Sequence, residues 1–147
     1  MNLLIIDDDN ISNFVNTRVA QKSGLFKEIR SVSNGKDALE IFIQAGKGTE
    51  TAPDVVLLDL NMPVMNGFDF MTELKRLNFP KKENLNIVIL TSSDNPIDID
   101  QAHAMGIKHY LVKSITLKDL QDTIFSLYNK APTPRKDDSD NEIDAAT

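Results

Sequence analysis

The sequence contains no cysteine, no long apolar run and no excess of positive charge. Without cysteine, the chain has no disulfide framework and no thiolate nucleophile or metal ligand, which suits a reducing compartment. No apolar run approaches the roughly 18–20 residues that span a bilayer, so we expect a soluble protein in the cytoplasm. The formal net charge of -6 argues against domain-wide attraction to nucleic acid. DNA and membranes are therefore not expected partners.

The length and composition predict one domain followed by a tail. A chain of 147 residues with 41% hydrophobic content can bury a single core, which we expect over residues 1–130. Residues 131–147 are rich in Pro, Asp, Ser and Asn, and Ile143 is their only large apolar residue. Such a segment cannot bury enough apolar surface to order itself, which predicts a flexible acidic tail. Its role is left open between a plain solvated extension and a regulatory or partner-binding segment.

Strand and helix patterns alternate along the domain. Residues 3–6, 55–58 and 87–90 are continuous apolar runs, typical of strands buried on both faces, and residues 29–33 and 110–112 are weaker candidates. The first run lacks the basic segment and cleavage site of a signal peptide. Five helices are predicted between and after these strands. Their expected inward positions are Ile11, Phe14, Val15 and Val19; Ala38, Leu39, Phe42 and Ile43; Phe68, Met71, Leu74 and Leu77; Ile99 and Ala102; and Leu117, Leu120, Ile124, Leu127 and Tyr128.

This alternation predicts a doubly wound α/β fold: a five-stranded parallel sheet with helices on both faces, because right-handed crossovers place them there. Asn10 or Asp9, Asn34, Asn66 and Thr116 are expected helix N-caps. Residues 45–53 and 79–86 are expected to be surface loops.

Acidic residues follow the first and third predicted strands. Asp7, Asp8 and Asp9 come after the first strand, and Asp59 ends the third. An acidic run alone is more often a helix cap, but ligands of open parallel sheets collect at the carboxyl ends of the strands. Like charges about 4 Å apart repel by roughly 4 kcal/mol at an effective dielectric near 20, so the cluster needs compensation by protonation, by a lysine or by a divalent cation, of which a hard cation is the natural choice. Oxygen-only ligands favour Mg2+ over a soft metal.

The fourth and fifth predicted strands bring further polar groups to the same edge. Thr91 ends the fourth strand and Lys113 ends the fifth. A hydroxyl donor, a fixed cation and a metal are what phosphoryl transfer to a carboxylate needs, since its catalysis is mostly positioning and charge neutralisation. His103 and His109 do not have metal-ligand spacing and are expected on the surface.

Four segments, LLIIDDDN, DVVLLDLNMPVMNG, IVILTSSD and HYLVKS, resemble in order and spacing the signature of the response regulator receiver domain, of the single-domain, chemotaxis-regulator-like type. The resemblance implies the flavodoxin-like strand order 2-1-3-4-5. It also implies two-component signalling, in which a sensor histidine kinase or a histidine phosphotransfer protein donates a phosphoryl group. We expect a stand-alone receiver whose output passes to another protein, with the surface of the fourth helix, fifth strand and fifth helix as the contact or homodimer face.

The resemblance also implies a role for each site residue. Asp59 would be the nucleophile that becomes an aspartyl phosphate. Asp7, Asp8, the Asp59 carboxylate and the backbone carbonyl of Asn61 would hold Mg2+, while Asp9 is expected to be a cap.

Three further residues would respond to the phosphoryl group. Lys113 would pair with it, Thr91 would donate a hydrogen bond to it, and Tyr110 would be the aromatic switch residue. Asn61 and Ser93 flank the site at positions that tune autodephosphorylation in the family. Both are small and polar, so we expect a phosphorylated lifetime well short of many hours.

The chain departs from the family at Ser114, because the family usually has proline after the lysine, in a cis peptide bond. A cis bond before a non-proline residue costs roughly 2.5–4 kcal/mol, so we predict a trans bond between Lys113 and Ser114.

Two other functions are considered. A haloacid dehalogenase-type phosphatase also uses an aspartate nucleophile and Mg2+, but its second aspartate is replaced here by Asn61, and no cap domain fits in this length. A pseudo-receiver would bind partners without being phosphorylated, although the full set of polar residues argues against it.

Overall fold

The computed structural model describes residues 1–92 and 96–129. Within them strands and helices alternate as predicted. The elements are β1 (Asn2–Ile6), α1 (Asn10–Ser23), β2 (Glu28–Val32), α2 (Gly35–Gly46), β3 (Val55–Asp59), α3 (Gly67–Lys75), a short 3-10 helix (Lys82–Asn84), β4 (Asn86–Thr91), α4 (Pro96–Ala104), β5 (His109–Val112) and α5 (Leu117–Asn129). The expected loops are shorter than predicted, because α2 continues through Gly46 and the 3-10 helix lies within residues 79–86. The predicted acidic tail, residues 131–147, lies outside the described residues.

The five strands form one parallel sheet in the order β2-β1-β3-β4-β5, which confirms the predicted fold class and strand order. β1 and β3 are neighbours at the centre, with Ile6 beside Leu58. The chain passes from β1 outward to β2 and then returns to the other side of β1. In such sheets the crevice at this reversal lies beyond the carboxyl ends of the strands, so the ends of β1 and β3 are where a ligand is expected.

Side chains alternate between two hydrophobic clusters, one on each face of the sheet. Buried side chains of α2 and α3, including Phe42 and Phe70, cover one face, and the ring of Phe42 contacts those of Phe70 and Phe79. Residues of α1 and α5, including Ala20 and Leu120, cover the other. Helices therefore protect both faces, as an all-parallel sheet requires.

Side-chain caps begin the helices at the predicted residues. Asp9 caps α1 by accepting from the backbone N–H groups of Ile11 and Ser12, and Asn34 caps α2. Asn66 forms a reciprocal capping box with Asp69 at α3. Before α5, Thr116 Oγ1 accepts from Asp119 N at 3.0 Å.

The predicted inward face of α1 is wrong for Ile11, Phe14 and Val15, and only Val19 packs against the core. Ile11 is 76% exposed and Phe14 is 63% exposed, whereas Asn13, Asn16 and Ala20 are buried. Apolar spacing alone set the predicted phase, but the cap at the end of β1 and the hydrogen bonds of Asn13 rotate the polar residues inward. The helix therefore buries Asn13 and Asn16 together with Ala20, and it exposes Ile11 and Phe14.

Smaller corrections apply to α3 and α5. Phe70, which was not in the predicted stripe, is fully buried in α3, while Phe68 and Leu77 are only partly buried. In α5, Leu120 and Ile124 are buried as predicted, but Leu117 and Tyr128 at its two ends are exposed. None of the helices among the described residues combines the length and apolar character needed to cross a membrane.

Candidate functional site

Three carboxylates meet at the carboxyl ends of β1 and β3. Asp7 follows β1 directly and Asp59 is the last residue of β3. One oxygen from each of Asp7, Asp8 and Asp59 lies within 4.8 Å of the others. Asp7 and Asp59 are buried, with Asp59 only 4% exposed, whereas Asp8 faces solvent. The parallel register of the two central strands explains this convergence, because it places the residues after Ile6 and Leu58 side by side.

Lys113 supplies the positive charge of the cluster. Its Nζ lies 2.7 Å from Asp7 Oδ2 and 3.6 Å from Asp59 Oδ2. The Lys113 backbone N–H donates to the carbonyl oxygen of Thr91 at 2.8 Å, which ties the end of β5 to the end of β4. The pairing of β4 and β5 thus places the Lys113 ammonium beside the two buried carboxylates.

The peptide bond between Lys113 and Ser114 is cis, so the prediction of a trans bond was wrong. The prediction weighed only the intrinsic preference of a non-proline peptide bond. It left out tertiary contacts on both sides of the bond, which the sequence does not reveal. Lys113 is held through its backbone by Thr91 and through its ammonium by Asp7, and Ile115 is buried in the core.

Thr91 and Tyr110 lie on the neighbouring strands β4 and β5. Thr91 is buried at the end of β4, beside Val112 of β5. Tyr110 is 41% exposed. A cavity of only about 10 Å3 lies next to Tyr110, between β5 and residues of α4 such as Ile99 and Ala102. Tyr110 is therefore partly exposed to solvent and also lines this small cavity.

Burial dominates the chemistry of Asp59. Desolvation raises the pKa of its carboxyl from 3.8 to about 6. The Asn61 N–H, which donates to Asp59 Oδ1 at 3.1 Å, and the charge of Lys113 lower the pKa, while the charge of Asp7 raises it. Asp59 is therefore mostly ionised at neutral pH, but at a free-energy cost.

Lys113 shows the opposite balance. Burial alone would lower its pKa, but the hydrogen bond to Asp7 and the charge of Asp59 outweigh burial and raise the pKa above 10.5. The ammonium is thus fixed in its charged form. One ammonium faces three carboxylates, so the cluster still carries excess negative charge.

This donor set fits a hard divalent cation. Its ligand atoms are carboxylate oxygens within reach of one centre, without histidine or thiolate among them. Two buried acids beside a single lysine leave charge that a cation would neutralise. The Asn61 N–H contacts Asp59, while the role of its carbonyl oxygen as a ligand stays a prediction.

Other sequence-predicted residues lie away from the cluster or outside the described residues. Asp9 caps α1 as expected. His103 is exposed, and His109 is partly buried with its Nε2 3.4 Å from Ser126 Oγ. Ser93 lies outside the described residues. Sequence reasoning missed Asn13, which contacts Asp7; two asparagines breaking the apolar pattern of α1 were the available signal.

Comparison with known proteins agrees with this geometry. The family model for the response regulator receiver domain matches residues 3–125. This chain therefore belongs to the response regulator receiver family, whose role is reception in two-component signalling.

Some relatives and solved structures are covered by this chain over most of their length. The response regulator Rcp1 of Synechocystis is 29% identical over 119 residues, covering 80% of each chain. The structure of a two-component response regulator from Cytophaga hutchinsonii superposes with a TM-score of 0.77 at 29% identity, covering 88% of this chain and 97% of that one. The Mn2+-bound form of Rcp1 superposes with a TM-score of 0.67 at 26% identity, covering 91% of this chain and 99% of the other.

Proposed function

We propose that this receiver accepts a phosphoryl group on Asp59 from the phosphohistidine of a sensor histidine kinase or phosphotransfer protein. The observation that carries the proposal is the meeting of Asp7, Asp8 and Asp59 with Lys113 at the carboxyl edge of the sheet. This combination supplies a nucleophile, a cation and room for a metal at one point.

In the proposed reaction, a carboxylate oxygen of Asp59 attacks phosphorus, the bond from phosphorus to the donor nitrogen breaks, and the imidazole leaves to take up a proton. Asp59 must be ionised to attack, and a pKa of about 6 leaves it so at neutral pH. The Asn61 N–H orients the carboxylate through Oδ1. Transfer of this kind depends on positioning and on charge neutralisation.

We propose that the remaining site residues bind the metal and the transferred phosphoryl group. Asp7, Asp8, Asp59 and the Asn61 carbonyl would hold Mg2+, which when bound would neutralise charge on the phosphoryl oxygens. Lys113 already lies 3.6 Å from Asp59 and would pair with the transferred group.

We propose Thr91 and Tyr110 as the switch. After transfer, the Thr91 hydroxyl would donate to a phosphoryl oxygen, and the partly exposed ring of Tyr110 would turn inward. Because the adjacent cavity is only about 10 Å3, this movement requires α4 to shift. The change would therefore reach the surface of α4, β5 and α5, where Tyr110, Val112 and Phe125 are exposed. We propose this surface as the output contact, for a downstream protein or a second copy.

Phosphorylation tests the proposal directly. The protein would be incubated with Mg2+ and acetyl phosphate and its intact mass measured. We expect a gain of one phosphoryl group that Asp59→Asn abolishes and that Asp122→Asn, an exposed acid on α5, leaves unchanged. No gain in the wild type would refute phosphoryl acceptance and favour a pseudo-receiver that only binds partners.

The same assay measures the phosphorylated lifetime after acetyl phosphate is removed. Asn61 is small and exposed, which leaves water access to the site. We expect the phosphoryl group to be lost well within hours, and a lifetime of many hours would contradict this.

We propose the cytoplasm as the location, since the proposed donors present their phosphohistidines there.

A further inference from the structure

Helix α1 buries two asparagines where a core helix normally places apolar residues. Asn13 is 8% exposed and Asn16 is 2% exposed. A buried amide costs free energy unless it is hydrogen-bonded. The hydrogen-bond partners of a buried asparagine therefore indicate its structural role. Asn13 Nδ2 donates to the carbonyl oxygen of Asp7 at 2.6 Å and to that of Val32 at 3.2 Å. A single side chain of α1 thereby joins the ends of β1 and β2.

These contacts complete the support of Asp7. Its backbone N–H donates to the Val32 carbonyl at 3.2 Å, and its own carbonyl accepts from Asn13. Its side chain accepts from Asp9 N at 3.0 Å and meets Lys113 Nζ at 2.7 Å. Asp7 lies just beyond β1, where the strand pairing that would otherwise fix its backbone ends. The hydrogen bond from Asn13 Nδ2 fixes the backbone carbonyl group of Asp7 instead.

The chemistry of the amide matches its surroundings. Two carbonyl oxygens face one NH2 group, which has two hydrogens to donate. Its Oδ1 has no hydrogen-bond partner among residues 1–92 and 96–129, so the donor half alone determines how the side chain sits. Alanine offers no donor, and a carboxylate in this position would place negative charge against two acceptors.

We infer that Asn13 is a positioning residue for the metal site: by holding the carbonyl oxygens of Asp7 and Val32, it orients the Asp7 carboxylate toward Asp8 and Asp59. The inference rests on the proposed function, because it takes the acid cluster to be a divalent-cation site. Removing a group that orients a metal ligand through a hydrogen bond, without binding the metal itself, typically lowers the metal affinity 10–100-fold.

Asn16 provides a matched control. It lies about one turn further along the same helix and is at least as buried, but its Nδ2 has no hydrogen-bond partner within residues 1–92 and 96–129. Asn13→Ala and Asn16→Ala remove the same atoms from the same helix, so both cost packing and stability. Only Asn13→Ala removes the donor to Asp7. Asn13→Asp, which is nearly isosteric, tests the donor without leaving a cavity.

The experiment measures Mn2+ affinity from the electron paramagnetic resonance signal of free Mn2+, with Mg2+ as a competitor, and the unfolding free energy of each metal-free variant. We expect Asn13→Ala and Asn13→Asp to weaken Mn2+ binding about 10-fold or more, and Asn16→Ala to stay within about twofold of the wild type. With acetyl phosphate, the Asn13 variants should need more Mg2+ for half-maximal phosphorylation yet approach the wild-type rate at saturating Mg2+.

The outcomes separate the inference from the proposed function. Equal Mn2+ affinities for the two alanine variants would overturn the positioning role and leave Asn13 as a core residue, with the receiver function intact. Failure of the wild type itself to bind Mn2+ or Mg2+ would overturn both. If Asn13→Ala does not fold, Asn13→Asp decides between these results.

Discussion

Replacing Asp59 with asparagine should stabilise the metal-free protein at neutral pH and have little effect at acid pH. Burial raises the pKa of Asp59 from 3.8 to about 6. A carboxyl whose pKa is higher in the folded than in the unfolded state binds its proton more tightly when folded. The wild type therefore loses stability as the pH rises from about 4 to about 6, and the loss is complete above that range.

The size of the effect follows from the pKa shift. The shift is about two pH units, and each unit corresponds to about 1.36 kcal/mol, so ionisation of Asp59 costs the folded state about 3 kcal/mol. Asparagine keeps an acceptor oxygen for the Asn61 N–H but carries no charge. Asp59→Asn should therefore exceed the wild type by up to about 3 kcal/mol near pH 8, and by far less near pH 4.

Urea unfolding in EDTA, followed by far-ultraviolet circular dichroism because the chain has no tryptophan, measures this difference across the pH range. Asp8→Asn is the control, since Asp8 belongs to the same cluster but is exposed. Its stability difference from the wild type should vary much less with pH. A difference for Asp59→Asn that is constant across pH, or a variant less stable than the wild type at neutral pH, would refute the reasoning.

Mg2+ should reverse the order of stability. A ligand that binds only the folded state stabilises it by RT ln(1 + [L]/Kd), which is about 4.1 kcal/mol at 1,000 times the Kd and exceeds the cost of ionising Asp59. The wild type has all three carboxylates and should gain most of this stabilisation. Asp59→Asn lacks one of the three carboxylates and should gain less. Equal gains for both proteins would show that Asp59 does not take part in binding.

Three other substitutions test the site and the corrected helix phase. Lys113→Ala leaves Asp7 buried without its ion-pair partner and should cost about 3 kcal/mol in urea unfolding at neutral pH; a loss below about 1 kcal/mol would show that backbone contacts hold Asp7. Phe14→Ser should change the unfolding free energy by no more than about 0.5 kcal/mol, because the ring is exposed, whereas Phe42→Ala should cost about 3–5 kcal/mol; similar losses would contradict the observed phase of α1. Tyr110→Trp introduces the chain's single tryptophan, whose emission should move to shorter wavelength on phosphorylation, and unchanged tryptophan emission would count against an inward turn.

The sheet and the meeting of the acids could be predicted because they depend on patterns local to the chain. Continuous apolar runs marked the strands, and the parallel arrangement brings every strand end to one edge. Asp7, Asp59 and Lys113 therefore converge whatever the details of the helices. Asp9 was separable from the cluster for a similar reason, since a cap is defined by the residues that follow it.

The phase of α1 and the bond after Lys113 could not be predicted, because each depends on contacts distant in sequence. Ile11 and Phe14 have the spacing of a core face, but the buried face of this helix is chosen by a hydrogen bond from Asn13 to Val32, 19 positions away. The bond between Lys113 and Ser114 is likewise flanked by contacts to Thr91 and Asp7.

The same acid cluster links the stability of this protein to its activity. Asp59 is buried at a cost in free energy, and in the proposed function the same burial keeps its carboxylate beside Asp7 and Lys113, where the phosphoryl group and the metal would bind. A more exposed carboxylate would relieve the cost, but it would be oriented less firmly and would interact more weakly with Lys113, since solvent screens charges. Hydrogen bonds to the backbone of Asp7 and Lys113 from neighbouring elements hold both residues beside Asp59 despite this cost. In the proposed function, metal binding and phosphorylation would act on a cluster in which like charges already repel, so a change at one carboxylate would alter the free energy of its neighbours.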